Sequence, residues 1–277
     1  MASSLPLLMG VVNVTPDSFS DGGRWATPDT AIAHGRDLLA DGADILDIGG
    51  ESTRPGATRP LVEEELGRVV PVIRELSAGG ATVSVDTMRS EVAEQAVASG
   101  ATIVNDVSGG LADPRILDVV AAAGTTYVCM HWRGHSDRMQ DLAEYDGPGG
   151  VVAAVRVELA QRAEAALAAG IAEARIVLDP GLGFAKKAQH NWELLRGLSS
   201  LQSLGYPLLV GASRKSFLGS LLAASDGTPR AVDDRESATT ALTVLLAQQR
   251  VWGLRVHDVR SSRDALRAFA RWEEGVT

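Results

Sequence analysis

Short apolar runs recur along the chain, and each is followed by a polar or glycine-containing turn and then by an alanine- and leucine-rich stretch. Apolar runs of about four to eight residues between turn signals are typical of strands buried on both faces of a parallel sheet. Eight such runs are predicted as strands, at residues 7–14, 44–48, 82–85, 102–107, 126–130, 175–178, 207–210 and 254–259.

The stretches between these strands have the apolar spacing of helices. Helices are predicted at residues 30–40, 62–77, 89–98, 114–123, 151–169, 192–203, 217–249 and 262–272. Alternating strands and helices predict an α/β fold with a parallel sheet covered by helices. Eight units in about 250 residues favour one closed (β/α)8 TIM barrel, a single domain over residues 1–277, rather than an open doubly wound sheet.

Composition narrows the class of partner. The chain has 277 residues, 45% of them hydrophobic, and a net charge of −9, which argues against nucleic acid or an anionic membrane as the main partner. Its one cysteine, Cys129, excludes an internal disulfide and fits a reducing cytoplasm. The N-terminal residues lack the basic region of a signal peptide, and no apolar run reaches the roughly 18 residues of a membrane helix. We therefore expect a cytoplasmic, soluble protein.

Every predicted strand ends in a hydrogen-bonding or ionisable side chain, and in a barrel of this kind the C-terminal ends of the strands form the active site. A lone Asp after a strand is often a helix cap, so Asp106 and Asp258 are interpreted as structural. Asp47 and His131 are interpreted as satisfied, partly buried polar groups. The remaining residues are predicted to form a binding site, because burying unpaired polar groups costs about 1–3 kcal/mol each: Asn13, Asp86, Asn105, Asp179, Lys215, Arg255 and His257.

The chemistry of this set divides in two. Asp86, Asn105 and Asp179 supply acceptors suited to the N–H edge of a flat heterocycle. Donors suited to an anion come from Arg255, His257 and Lys215, and Asn13 offers an oxygen to a hard cation such as Mg²⁺. The sequence has no His and Cys cluster for zinc, no dinucleotide or Walker fingerprint, and no nucleophile elbow.

Seven stretches identify the family that the chain resembles. They are MGVVNVTPDSFSDGG, DIGGESTRPGA, VSVDTMRSEVA, IVNDVSGG, VLDPGLGFAKKAQHN, VGASRKSFLG and LRVHDV, and they run in order from residue 9 to residue 259. The chain closely resembles the dihydropteroate synthases, the folate-pathway transferases that sulfonamides target. The resemblance implies a (β/α)8 barrel and a homodimer, with the helices from Trp192 onward as the place to look for the dimer contact.

The resemblance also implies a reaction and roles for the site residues. The family condenses 6-hydroxymethyl-7,8-dihydropterin diphosphate with p-aminobenzoate, giving 7,8-dihydropteroate and diphosphate, and is thought to pass through a pterin cation. By motif, the pterin is held by Asp86, Asn105, Asp179 and Lys215, so Lys215 moves from the anion to the heterocycle. Mg²⁺ binds Asn13, and the diphosphate oxygens bind Thr53, Arg255 and His257. p-Aminobenzoate is framed by Phe19, Thr53, Arg54, Pro55, Phe184 and Ser216.

Loops 15–23 and 52–58 are expected to close over the substrates, with Asp21 brought in as a catalytic residue beside Asp86, Lys215, Arg255 and His257. The loop after strand five, which reads CMHWRGHSDRMQ, departs from the family pattern, so its contacts are left open. Two alternatives remain open as well. One is a catalytically silent paralogue of the synthase, and the other is a pterin-binding methyltransferase that shares the pterin pocket.

Overall fold

The computed structural model describes residues 5–15, 27–51, 59–135, 139 and 141–274. Five predicted site residues lie outside this part of the chain: Phe19, Asp21, Thr53, Arg54 and Pro55. Within it, no helix is long and apolar enough to cross a membrane.

Eight parallel strands form the sheet: β1 (Leu7–Asn13), β2 (Ile45–Gly49), β3 (Val83–Asp86), β4 (Ile103–Asp106), β5 (Thr126–Met130), β6 (Ile176–Asp179), β7 (Leu209–Val210) and β8 (Gly253–Val256). Their order is β6-β5-β4-β3-β2-β1-β8-β7. An isolated parallel bridge between Leu178 and Leu208 joins β6 to β7, so the sheet returns on itself. The predicted (β/α)8 barrel is confirmed, and the open doubly wound sheet is excluded.

Ten α-helices of the described chain surround the strands: α1 (Pro28–Ala40), α2 (Val62–Ala78), α3 (Ser90–Ala98), α4 (Arg115–Ala123), α5 (Gly150–Ala168), α6 (Ala188–Arg196), α7 (Leu198–Gln202), α8 (Ser216–Leu221), α9 (Glu236–Gln248) and α10 (Val259–Glu273). Two predicted helices were wrong as single elements. Residues 192–203 divide between α6 and α7 at Gly197, where a Cβ would come within 2.8 Å of the Val152 side chain on α5. Residues 217–249 contain α8, a 3₁₀ turn at Val232–Arg235, and α9, with a non-helical stretch at 222–231.

Alternation along the strands explains why the site lies at one end of the barrel. Successive side chains of a strand point to opposite faces. Inside the barrel, one apolar cluster is built from Met9, Ile45, Ile103, Val128, Val177 and Leu209. Two residues further along β2, β4 and β6, the same face carries Asp47, Asn105 and Asp179. The interior is therefore an apolar floor with polar side chains directly above it.

Two aspartates interpreted as structural have structural partners. Asp106 accepts hydrogen bonds from the backbone N–H and hydroxyl of Ser108, from the N–H of Gly110, and from the Tyr127 hydroxyl. Asp258 is the N-cap of α10 and accepts from the Ser261 N–H at 2.9 Å. Both carboxylates accept from backbone N–H groups and from nearby hydroxyl groups, so we assign neither to the site.

Candidate active site

Arg255, from β8, stands at the centre of one half of the site. Its Nε donates to Oδ2 of Asp47 at 2.6 Å, and its Nη2 donates to Oδ2 of Asp86 at 2.8 Å. Asn105 donates from Nδ2 to the same Asp47 oxygen at 3.0 Å. Strand β8 and, on the far side of β1, the three successive strands β2, β3 and β4 thus deliver one connected cluster, which we call the arginine cluster.

Asp47 was misjudged from the sequence as a partly buried polar group. Its side chain is 0% exposed, and it orients both Arg255 and Asn105 through one oxygen. Its second oxygen, Oδ1, is buried without a hydrogen-bond partner in the described chain. The signal was present in the register, because Asp47 follows Ile45 by two positions and so shares the interior face of β2.

Burial and charge set the protonation of this cluster. Burial raises the pKa of Asp86 to about 7, with Arg255 opposing the shift and the Asp47 charge adding to it. Burial also works against the charge on Arg255, yet Asp47 and Asp86 raise its pKa above the usual value. Arg255 therefore keeps its charge, and Asp86 is poised to gain or lose a proton near neutral pH.

Lys215 stands at the centre of the other half of the site, which we call the lysine side. It is the N-cap residue of α8, and its Nζ donates to the carbonyl of Leu182 and lies 4.3 Å from the centre of the Phe184 ring. Burial lowers the pKa of Lys215 to about 8, although Asp179 opposes the shift. Asp179 accepts from the Gly181 N–H at 2.7 Å through Oδ1, and burial raises its pKa.

Asn13 lies at the end of β1, where Gly49 leaves an open cradle between two oxygen atoms. A Cβ built at Gly49 would lie 3.7 Å from Oδ1 of Asn13 and 3.7 Å from Oδ2 of Asp86. Among the described residues, no group of three or more His, Cys, Asp or Glu side chains is arranged to hold a metal. An amide oxygen beside a carboxylate fits Mg²⁺, which takes few protein ligands and completes its shell with water and phosphate oxygens.

The end of β8 and the start of α8 supply the last two predicted residues. The Nδ1 atom of His257 lies 2.9 Å from the Ser213 hydroxyl, whose oxygen also accepts from the His257 backbone N–H at 3.2 Å. Ser216 is the first residue of α8 and is exposed. The structure therefore brings all the described candidates to the same end of the barrel.

Sequence reasoning missed a second buried group behind the lysine side. His131 was interpreted as partly buried, but it is 1% exposed and both of its ring nitrogens have partners. Those partners are Glu158 on α5 and Lys186 in the β6–α6 loop. Lys186 was not singled out, because a lysine in the motif GFAKKAQHN gives no sign of being buried.

The comparisons with known proteins agree with this fold and identify the family. The sequence pattern of the family described as "Pterin binding enzyme" matches residues 9–257, so the class is that of the pterin-binding enzymes. The dihydropteroate synthase of Mycobacterium leprae is 53% identical, over 96% of this chain and 93% of its own length.

Two solved dihydropteroate synthases superimpose closely. The Xanthomonas albilineans enzyme with 4-aminobenzoic acid has a TM-score of 0.87 at 46% identity, covering 98% of this chain and 94% of its own. The Yersinia pestis enzyme in a sulfonamide drug complex has a TM-score of 0.91 at 38% identity, covering 99% of this chain and 96% of its own. The chain belongs to the dihydropteroate synthase family, a family of folate-biosynthesis transferases. This membership disfavours the methyltransferase alternative.

Proposed function

We propose that the protein condenses 6-hydroxymethyl-7,8-dihydropterin diphosphate with p-aminobenzoate to form 7,8-dihydropteroate and diphosphate. The observation that carries the proposal is the convergence of Asp86, Asn105, Asp179, Lys215 and Arg255 above the apolar floor of a barrel from this family. The set combines acceptors for a heterocycle with cations for a diphosphate, which is the pairing that the reaction needs.

The acceptors are matched to the N–H edge of the pterin. Because Asn105 donates from Nδ2 to Asp47, its amide oxygen is the atom left to accept from a ligand. Oδ1 of Asp179 is held by the Gly181 N–H, and Oδ2 of Asp86 is held by Arg255. Each carboxylate keeps a second oxygen for the substrate. Lys215 then donates to an acceptor atom of the pterin ring in place of the Leu182 carbonyl.

Departure of the diphosphate leaves negative charge on its oxygens and positive charge on the pterin carbon. Arg255 and His257 stabilise the anion, while the buried carboxylates Asp86 and Asp179 stabilise the developing cation. The arylamine attacks that carbon and loses its proton afterwards, so no strong base is required. The apolar floor beneath the site limits the access of water, which would otherwise capture the cation.

We propose Mg²⁺ as the cofactor, held by Asn13 together with the substrate diphosphate. The open cradle at Gly49 supports this assignment. When bound, the ion would neutralise charge on the leaving group. Titration calorimetry of the pterin diphosphate with and without Mg²⁺ tests it. The Mg²⁺-dependent gain in affinity is expected to vanish in Asn13→Ala and to be unchanged in the control Lys187→Met.

The p-aminobenzoate site is proposed around Phe184 and Ser216, with Phe19, Thr53, Arg54 and Pro55 contributed by loops outside the described residues. Asp21, also outside the described residues, is proposed as a catalytic residue. Phe184 supplies an aromatic face beside Lys215, which supports a planar arylamine there. Arg54→Ala is expected to raise the p-aminobenzoate KM more than the pterin KM. Equal increases in both would contradict the assignment.

The deciding experiment for the function is a turnover assay of the purified protein with Mg²⁺ and both substrates. Formation of dihydropteroate and diphosphate, and its inhibition by a sulfonamide, is the expected result. Pterin binding without any product would instead identify the protein as a catalytically silent paralogue.

We also propose that the protein works as a homodimer in the cytoplasm. Leu221 and Leu245 are large apolar side chains, 59% and 52% exposed on α8 and α9, which supports an interface on the helices after residue 192. Sedimentation velocity is expected to give a dimer, and Leu245→Asp is expected to shift it toward monomer. Cell fractionation tests the location.

A further inference from the structure

Three ionisable side chains form a connected chain behind the lysine side of the site. Nε2 of His131 lies 2.9 Å from Oε2 of Glu158, and Nδ1 of His131 lies 2.8 Å from Nζ of Lys186. Lys186 is 4% exposed and donates from the same Nζ to the carbonyl of Phe184 at 2.9 Å. The proposed reaction uses none of these three groups directly.

The protonation of this chain follows from its partners. Burial would raise the pKa of Glu158, but hydrogen bonds from His131 and Arg133 hold it at about 2. Burial and then the Lys186 charge lower the pKa of His131 to about 4, so the imidazole is neutral. Since an ionised carboxylate can only accept, Nε2 of His131 carries the proton, and its Nδ1 accepts from Lys186. Both ring nitrogens of His131 and both carboxylate oxygens of Glu158 then have matching partners.

The loop held by Lys186 carries two contacts of Lys215. Between β6 and α6, the Leu182 carbonyl accepts from Lys215, and the Phe184 ring lies beside the same ammonium group. The Phe184 carbonyl is fixed by Lys186, and the next carbonyl, that of Ala185, accepts from the Tyr145 hydroxyl at 3.0 Å. Ala185 has a φ of +48°, a left-handed conformation that needs such support in a residue with a side chain.

Glu158 is itself held in place from the loop after β5. Arg133 donates to both of its carboxylate oxygens, at 3.1 and 2.5 Å, and to the carbonyl of Glu144 at 2.7 Å. Arg133 also lies over the Tyr145 ring, 4.1 Å from its centre. The loop whose sequence departs from the family pattern therefore supports the His131–Lys186 pair from behind.

We propose that Lys186 is a positioning residue of the active site: with His131 as its acceptor, it fixes the Phe184 carbonyl and thereby sets where the Phe184 ring and the Lys215 ammonium group stand. The inference rests on the proposed function, which assigns that ring and that ammonium group to the substrates. Nζ of Lys186 donates to the His131 imidazole and to the Phe184 carbonyl, and the proposed function assigns it no contact with a ligand.

The first test compares two Lys→Met variants at adjacent positions. Lys186→Met removes the buried donor, and Lys187→Met makes the same change on an exposed side chain. We expect kcat/KM for the pterin diphosphate to fall about 10- to 100-fold in Lys186→Met, the loss that a misplacement of about 1 Å produces. Lys187→Met is expected to match the wild type. Equal kcat/KM in the two variants would overturn the proposal.

A second variant and a spectroscopic signal separate positioning from loss of fold. Tyr145→Phe removes the neighbouring bond to Ala185 and is expected to lower Tm without the large loss of kcat/KM. If Lys186→Met does not fold, Lys186→Gln replaces it, because the glutamine amide keeps a donor. Its kcat/KM for the pterin diphosphate is expected to lie between the wild-type value and one tenth of it. Nitrogen-15 NMR of His131 is expected to show the Nε2–H tautomer in wild type and a shifted Nδ1 resonance in the Lys186 variant. An unmoved Nδ1 resonance contradicts the proposal.

The assays also separate this inference from the proposed function. If the wild type forms no dihydropteroate, the proposed function fails, and the His131 resonances still report on the pair. If the wild type is active and Lys186→Met equals Lys187→Met, the positioning role alone fails.

Discussion

The two halves of the site solve the same problem, a buried cation, in different ways. In the arginine cluster, Arg255 is matched by the two carboxylates of Asp47 and Asp86, and its pKa rises. On the lysine side, Lys215 and Lys186 donate to backbone carbonyls, and burial lowers the pKa of both. One half is held by ion pairs, and the other by hydrogen bonds to backbone carbonyls of the loop between β6 and α6.

Because of this difference, the two halves are expected to contribute differently to fold stability and to substrate affinity. A guanidinium tied to two carboxylates cannot move without leaving buried charges unpaired, so the arginine cluster belongs to the framework of the barrel. A lysine that donates to a carbonyl can exchange that partner for a ligand at little cost to the fold. We therefore expect substitution of Asp47, the member of the arginine cluster to which no substrate contact is assigned, to lower stability most. We expect substitution of Lys215 to lower affinity more than stability.

The largest expected effect is on stability, in Asp47→Asn. Breaking a buried ion pair costs about 3–5 kcal/mol, and we expect about 3 kcal/mol because Arg255 keeps Asp86. The control is Ser84→Ala at the paired position on β3, where the buried hydroxyl has no partner in the described chain. Denaturant unfolding measures both variants. A loss below about 1 kcal/mol in Asp47→Asn would contradict the comparison.

Lys215→Met is expected to have the opposite pattern to Asp47→Asn, with weaker pterin binding and no loss of stability. Loss of a charged hydrogen bond to the pterin weakens its binding by about 1.5–3 kcal/mol, roughly 10- to 100-fold. The free energy of unfolding is expected to stay the same or to rise, because a desolvated cation is replaced by an apolar side chain of similar length. Calorimetric titration and denaturant unfolding measure the pair of values. A large loss of stability with unchanged pterin affinity would reverse the interpretation.

The pH dependence of kcat/KM reports on both halves at once. Only ionised Asp86 can accept through both carboxylate oxygens, so activity falls as pH drops below its pKa of about 7. Only protonated Lys215 carries a positive charge, so activity falls as pH rises above its pKa of about 8. The plot of kcat/KM against pH is expected to be a narrow bell. At one pH unit below the lower pKa or above the upper pKa, kcat/KM is expected to fall about tenfold.

Two variants assign these limbs. Lys215→Arg is expected to lose the alkaline limb, since a guanidinium stays charged. Asp47→Asn is expected to move the acid limb to lower pH, because the Asp47 charge raises the pKa of Asp86. An alkaline limb that persists in Lys215→Arg would assign that limb to another group.

The smallest expected effect is the loss of stability on removing a solvent-exposed ion pair, which serves as a reference for the buried one. Arg36 and Glu75 join α1 to α2 across 2.6 Å, with side chains 62% and 53% exposed. Solvent weakens such pairs, so Arg36→Ala is expected to change the free energy of unfolding by less than about 1 kcal/mol. A cost equal to that of Asp47→Asn would show that burial is not what distinguishes the arginine cluster.

The sequence was sufficient to predict the barrel, because eight apolar strands alternating with helices leave few other arrangements. It also predicted that polar side chains from several strand ends meet, since parallel strands deliver their C-terminal residues to one end of the barrel. The helix errors lay at Gly197 and at residues 222–231, where a close approach to α5 and an irregular stretch interrupt a helical pattern. Neither interruption has a strong local signal.

Burial of individual polar groups was what the sequence did not reveal. Asp47 and His131 were both expected to be partly exposed, yet each is enclosed by partners at distant positions, Arg255 and Lys186 among them. Such partnerships depend on side chains that meet only after the barrel closes. Roles assigned to Phe19, Asp21, Thr53, Arg54 and Pro55 stay predictions.

The short seventh strand bears on how the two halves of the site behave in time. β7 has two residues, and the sheet closes beside it through the single bridge between Leu178 and Leu208. Asp179 lies on one side of that seam and Lys215 follows on the other, whereas the strands from β8 through β4 that carry the arginine cluster are joined by ladders of three to five residue pairs. Amide hydrogen exchange is therefore expected to be fastest at the seam. Local opening there would separate Asp179 from Lys215 while Arg255 keeps its contacts with Asp47 and Asp86.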